Sequence, residues 1–290
     1  MTYPGTRLGL AVLWLLHWLP LPVLRALGAL LGRLLFALGK SRRKVALTNL
    51  RLCFPELDEP ARERLARRHF RVLAQSFLDR PLLWWASERR LRRLIRLEGI
   101  EHLDDGSGRP AIVLLPHFVG LDACGITIGM AGKAAFIFAQ QSNPVINDVV
   151  LRGRARFNDP VIILRNDGLR RAIKALRDRL PFVYPADMDF GARDTMFVPF
   201  FGVPAATAIA LPRLAEMAGA RVVTLFSRLT PDGYVAELLP AWEGYPTGDA
   251  AADLRRMNAA IEELVRRVPE QYYWVHKRFK TRPPGEAGFY

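Results

Sequence analysis

The sequence predicts an α/β fold, a central and mostly parallel sheet flanked by helices, preceded by an N-terminal membrane helix. Three observations predict it. Short continuous apolar runs recur in the second half of the chain, the pattern of strands buried on both faces. Segments of helical periodicity lie between them, and alternating strands and helices imply a sheet covered on both sides. The N-terminal segment is apolar and is followed at once by a basic cluster.

Leu8 to Leu24 is uncharged and mostly apolar, interrupted by His17, Pro20 and Pro22. At 1.5 Å per residue it reaches about 25 Å, marginal for a bilayer. Ala26 to Leu38 continues apolar with Arg33 inside it, and Lys40-Ser41-Arg42-Arg43-Lys44 follows. The excess of positive charge places the chain after Lys40 on the cytoplasmic side. Trp14 and Trp18 suit a headgroup boundary. A single anchor helix (straight or kinked at the prolines), an in-plane amphipathic helix and a cleaved signal peptide are the three readings, and length favours the first. Residues 1–44 are expected to form the anchor and its basic flank, and 45–290 the main domain. The latter divides into a basic helical annex, 58–97, and an α/β core, 98–290.

Lys and Arg number 42 against 28 Asp and Glu in 290 residues, a formal net charge of +14. Such an excess seeks anions: phospholipid headgroups, nucleic acid or an acidic protein. Arginine supplies most of it, and its planar fork suits phosphate. Helices are expected over Ala61–Leu73 and Leu82–Leu97, rich in arginine (Arg89, Arg90, Arg92, Arg93 and Arg96 in the second) beside Trp84 and Trp85. Basic residues next to aromatic ones suit an anionic bilayer interface, and they equally describe the solvated faces of two packing helices. No helix-turn-helix or zinc-finger spacing is visible, so nucleic acid is not an expected partner. Cys53 and Cys124 make no disulfide framework and read as reduced thiols. The five histidines are scattered, so neither a metal site nor a cofactor is expected.

Strands are expected at Ala111–Leu115, Ala134–Ala139, Val161–Leu164, Pro181–Tyr184 and Arg221–Phe226. Leu169, Ile173, Leu176 and Leu180 mark a helix, and Ala205–Gly219 another, closed by Gly219. Ligands of such sheets bind at the carboxyl ends of strands. His117 stands at one, in Pro116-His117-Phe118-Val119-Gly120-Leu121-Asp122. A carboxylate can hold one imidazole nitrogen protonated while the other takes a proton from a hydroxyl. An alkoxide-like oxygen can then attack a thioester without a serine or cysteine intermediate. Asp122 equally suits the N-cap of a following helix.

Four further blocks accompany this one: Gly153-Arg154-Ala155-Arg156; Tyr184-Pro185-Ala186-Asp187-Met188-Asp189-Phe190-Gly191; Phe197-Val198-Pro199-Phe200-Phe201-Gly202 with Ala205-Ala206-Thr207; and Pro269 to Pro283, which reads PEQYYWVHKRFKTRP. From about residue 45 to the end the chain thereby resembles the late acyltransferases of lipid A biosynthesis, the lauroyl and myristoyl transferases. The resemblance implies a glycerolipid-acyltransferase-like fold behind an N-terminal membrane anchor. It also implies an acyl donor carried as a thioester on acyl carrier protein, and an acceptor that is a phosphorylated, Kdo-bearing lipid A precursor. His117 would be the base, Asp122 its orienter, and Arg154 and Asp187 further site residues. Arg156, Asp189 and Arg165 are added as candidate substrate-binding residues. Two departures stand out. Asp122 occupies a position where many members carry Glu, and Pro185-Ala186 inverts the family's Ala-Pro. His276, amid aromatic and basic residues, is expected to be structural or to face a phosphate.

The resemblance places the protein at the bacterial inner membrane with its catalytic domain on the cytoplasmic face. Two alternatives remain from the residues themselves. One is acylation of another lipid, such as a lysophospholipid, an ornithine lipid or a phosphoinositol glycolipid. The other is a non-enzymatic basic protein of the membrane surface.

Overall fold

The computed structural model describes residues 3–290, apart from the side chain of Asn166. The apolar N-terminus is two helices, α1 (Pro4–Leu16) and α2 (Leu21–Leu38). They part where Pro20, which has no N–H to give, precedes a helix with Pro22 in its first turn. The run Leu8–Leu24 is therefore not one helix. Of the two, α2 is long and apolar enough to cross a membrane. Its faces differ. Leu24, Arg25, Gly28, Gly32 and Phe36 are buried at helical spacing, while Val23, Leu27, Leu30, Leu34 and Leu38 are exposed.

The buried stripe lies on α4 (Glu59–Trp85), which follows α3 (Lys40–Cys53). Gly28 and Gly32 let the two backbones close: a Cβ at either would sit 2.6 Å from the Cα of Gln75 or Arg71. Arg25, beside them, reaches Asp79 of α4 at 3.2 Å and the carbonyl of Gly233 at 3.1 Å. The Tyr234 hydroxyl donates to the same carboxylate at 2.6 Å. Residues 21–38, assigned to the anchor on sequence grounds, thus share a packed face with the annex.

Asp58 caps α4 by accepting from the Ala61 N–H at 2.7 Å. The helix does not stop at Leu73 but runs through Pro81 to Trp85. A short α5 (Glu88–Leu94) follows, capped by Ser87, and then strand β1 (Ile95–Glu98). The single helix expected over Leu82–Leu97 is thus divided among three elements. The pairing of β1 with a later strand overrides the helical preference of its arginine-rich neighbours.

The core continues as β2 (Ala111–Leu114), α6 (Leu121–Ala131), β3 (Ala135–Phe138), α7 (Pro144–Arg154), β4 (Val161–Leu164), α8 (Leu169–Arg177) and β5 (Phe182–Tyr184). A hairpin of β6 (Thr195–Phe200) and β7 (Val203–Ala208) precedes α9 (Ala210–Ala218), β8 (Arg221–Thr230), β9 (Gly233–Leu238) and α10 (Ala250–Arg267). The hairpin corrects the expected helix over Ala205–Gly219, whose first residues pair with β6 instead. Phe201 and Gly202, with φ of 51° and 77°, form the two-residue turn that suits the twist of a hairpin.

The sheet order is β1-β9-β8-β2-β5-β3-β4. All neighbours are parallel except β8 and β9. From β2 to β3 the chain crosses the sheet in one direction, and from β4 to β5 in the other. Right-handed crossovers then put α6 and α8 on opposite faces. The buried core divides accordingly: α8, α9 and α10 pack with Ile112, Phe182 and Tyr184, whereas α6 and the C-terminal end of α4 pack with Val113, Leu115 and Val183.

Candidate active site

The register of two neighbouring strands builds the site. Leu114 of β2 pairs with Tyr184 of β5. Three residues beyond each stand His117 and Asp187, so the chain delivers them side by side at the carboxyl edge of the sheet. His117 Nδ1 lies 2.6 Å from Asp187 Oδ1, and the His117 backbone N–H donates to the same carboxylate at 3.0 and 3.2 Å. The Tyr272 hydroxyl is a further partner. Burial alone would raise the Asp187 carboxyl. The His117 imidazole beside it and these hydrogen bonds outweigh it and bring the group down to about 2. An ionised Asp187 fixes the proton on Nδ1 and leaves Nε2 as the basic nitrogen of a residue that lines the main cleft.

The expected orienter, Asp122, does not make this bond. Asp122 lies in the first turn of α6, and its oxygens meet Arg154 Nη2 at 2.6 Å and Arg80 Nε at 3.2 Å. The helix start turns the carboxylate toward α7 and α4. Burial again opposes its charge, but Arg154, Arg80 and the nearby His117 prevail and lower the carboxyl to about 2.

The arginine block has three separate jobs. Gly153 lies flat against the Trp84 indole, where a Cβ would come within 2.3 Å of Cδ1. That contact seats α7 on α4 and brings Arg154 to Asp122. Arg156 turns away from the cleft and donates to the carbonyls of Leu83 and Ala86, at 2.7 and 2.5 Å, closing the end of α4. Expected at the substrate, it is placed instead as a clamp outside the cleft lining. Asp189 departs in the same way. Its buried carboxylate accepts from the Thr281 N–H and hydroxyl, both at 2.8 Å, and from the Gly191 N–H at 2.9 Å. Arg165 does line the cleft, its guanidinium 5.1 Å from the centre of the Phe190 ring.

The C-terminal block braces the histidine loop. The Val119 N–H donates to the Gln271 carbonyl at 2.8 Å, and the Tyr273 N–H to the His117 carbonyl at 2.9 Å. His276 Nε2 accepts from the Asp189 N–H at 3.1 Å. Burial, with the Arg278 cation beside it, lowers that imidazole to about 4, so it is neutral and structural at pH 7. Arg278 is buried and donates to the Ala206 carbonyl at 2.8 Å. Arg80 and Tyr272 are the site residues that sequence reasoning missed. Tyr272 stood inside a quoted block. Arg80 had no signal beyond its helix face.

The cleft over these groups measures about 600 Å³ and is walled mainly by apolar side chains, among them Leu83, Trp84, Ile126, Phe136 and Phe190. Such a space suits hydrocarbon, with an imidazole, an ionised aspartate and a guanidinium at its polar end.

Known proteins are similar in sequence over nearly the whole length of this chain. The model of the family described as bacterial lipid A biosynthesis acyltransferase matches residues 1–281. The lipid A biosynthesis lauroyltransferase of Escherichia coli (strain K12) is 35% identical over 290 residues, covering 98% of this chain and 94% of that protein. The palmitoleoyltransferase of the same pathway and strain is 34% identical, with the same coverage. The myristoyltransferase is 34% identical over 275 residues, 91% of this chain and 82% of that one. A sheet-edge histidine facing an apolar cleft, and a match that runs almost from end to end, make this acyltransferase a member of the bacterial lipid A biosynthesis acyltransferase family.

Proposed function

We propose that the protein transfers a fatty acyl chain from an acyl carrier protein thioester to a hydroxyl of a Kdo-bearing lipid A precursor. His117 is the general base, Asp187 holds it, and Asp122 holds Arg154. The observation that carries the reading is the His117–Asp187 contact of 2.6 Å at one end of an apolar cleft. His117 Nε2 takes the proton of the acceptor hydroxyl as its oxygen bonds to the thioester carbonyl carbon. The tetrahedral oxyanion is met by Arg154, whose guanidinium is a third exposed and keeps donors beyond its bond to Asp122. Collapse breaks the C–S bond, and the departing thiolate recovers the proton from His117.

The net charge of +14 supports both substrates, since a phosphorylated acceptor and an acidic carrier are each drawn to it. The exposed leucines of α2, with Trp14 and Trp18, support residence at the bacterial inner membrane. The basic run after Gly39 supports a cytoplasmic catalytic domain.

The test supplies purified protein with the Kdo-bearing precursor and acyl thioesters of acyl carrier protein or of coenzyme A. The expected product is one acyl group heavier and forms faster from the carrier protein. His117→Ala should lower the rate by about 10²–10⁴. Turnover of that variant near the wild-type rate would falsify the mechanism.

A further inference from the structure

The cleft is not confined to one face of the sheet. Its walls include Leu115, Val183 and Phe136, which pack on the α6 side, and Phe182, Ile137 and Ile163, which pack on the α8 side. Strands β3 and β5 are paired over only two residues, Ala135↔Phe182 and Phe136↔Val183. Beyond that pair they part, and the void passes between the faces beside His117. An acyl transfer between two lipids needs room for two hydrocarbon bodies that meet at one reacting carbon.

We propose that the arm on the α6 face receives the chain being transferred, and that Gly125 and Phe136 fix the length it accepts. This rests on the acyl-transfer reading above. Arg154 lies on the α6 side through its bond to Asp122, so a thioester carbonyl presented to it sends its chain down that arm. Arg165, which directly follows β4, the strand of Ile163, also lines the cleft and is a cation suited to a phosphorylated acceptor.

The dimensions of the α6 arm follow from the helix itself. Asp122, Gly125 and Ile126 all line the cleft. A Cβ built on Gly125 meets only Leu115 Cδ2, at 3.4 Å, so any side chain there enters open space. One turn deeper, a Cβ on Gly129 would lie 3.7 Å from Phe136 Cζ. Phe136 lines the cleft and Gly129 does not, so the ring is the floor. From the level of Asp122 to that of Gly129 the helix rises about 10 Å. Gly125 keeps the arm open and Phe136 closes it.

The test gives the enzyme an equimolar mixture of carrier-protein thioesters, from octanoyl to palmitoyl, with the lipid A precursor, and reads the products by mass spectrometry. Gly125→Leu should shift the products to shorter chains, lowering the long-to-short ratio by at least about 10-fold, since one misplaced methylene already costs that much. Phe136→Ala should shift them to longer chains. Ala172→Leu fills the α8 arm and should raise the KM for the acceptor without moving the ratio. Each ratio is internal to one reaction, so a smaller folded fraction does not alter it. A ratio that Gly125→Leu and Phe136→Ala leave in place, or that Ala172→Leu moves instead, overturns the assignment. If the wild-type protein makes no acylated product at any chain length, the acyl-transfer reading fails, and the inference with it.

Discussion

His117 and Asp187, seventy residues apart in sequence, meet through Nδ1 and Oδ1 at 2.6 Å. Asp187→Asn keeps the size and an acceptor oxygen but removes the charge that holds the Nδ1 proton. Its kcat should fall by about 10²–10⁴, with donor and acceptor KM little changed. The double variant with His117→Ala should be no slower than His117→Ala alone, because residues that act as a unit are not additive. Single-turnover rates on the four proteins of that cycle provide the check.

Asp122 and Arg154 form the second pair, at 2.6 Å. Asp122→Asn should match Arg154→Ala in its loss, and the two together should add little. If Asp122 couples to His117 instead, the same cycle run with that partner will show it, and the separation of roles drawn here is wrong.

Arg25 and Asp79 are buried together, their side chains 9% and 1% exposed. Arg25→Met strands a buried carboxylate, which burial already raises. The stability lost should be about 3–5 kcal/mol. Adding Asp79→Leu should return most of it, as read from urea midpoints in detergent.

Stability should also fall in mild acid. His69 is fully buried, and burial lowers its imidazole from 6.5 to about 4 against one hydrogen bond to the Glu270 carbonyl. Between those values the unfolded chain binds more protons than the folded one. Stability is therefore complete above 6.5 and declines as pH drops toward 4, by on the order of 3 kcal/mol from this group. His276, lowered to about 4, acts in the same direction. Asp122 and Asp187, lowered to about 2, withdraw their share only below the usual carboxylate range. Urea midpoints from about pH 7 to 4.5 should drop for the wild type and drop less for His69→Gln. A level wild-type profile would contradict the assignment.

The parallel strands and His117 were legible because continuous apolar runs and a strand-end histidine are local signals. The partner of His117 was not. Asp122 is near in sequence, but α6 begins at Leu121 and swings it toward Arg154. Asp187 is near only once β2 and β5 are in register. Strands β1 and β9, at one end of the sheet, were missed for a related reason. Ile95-Arg96-Leu97-Glu98 reads as an extension of an arginine-rich helix until Tyr234 to Glu237 lies beside it. Positive charge misled as well. Arg25, Arg156, Arg221 and Arg278 donate to main-chain carbonyls inside the fold, so part of the excess is internal scaffolding and is not offered to any anion. Nothing in composition separates such arginines from those on the surface.

The glycine contacts between α2 and α4 carry a mechanical consequence. The same α4 that receives Gly28 and Gly32 supplies Arg80 to the Asp122 carboxylate and Trp84 to the wall of the cleft. The greasy outer side of α2 and one wall of the cleft are thus mounted on one beam. Any tilt of one carries the other with it, so the outward leucines of α2 and the mouth of the cleft keep a constant separation.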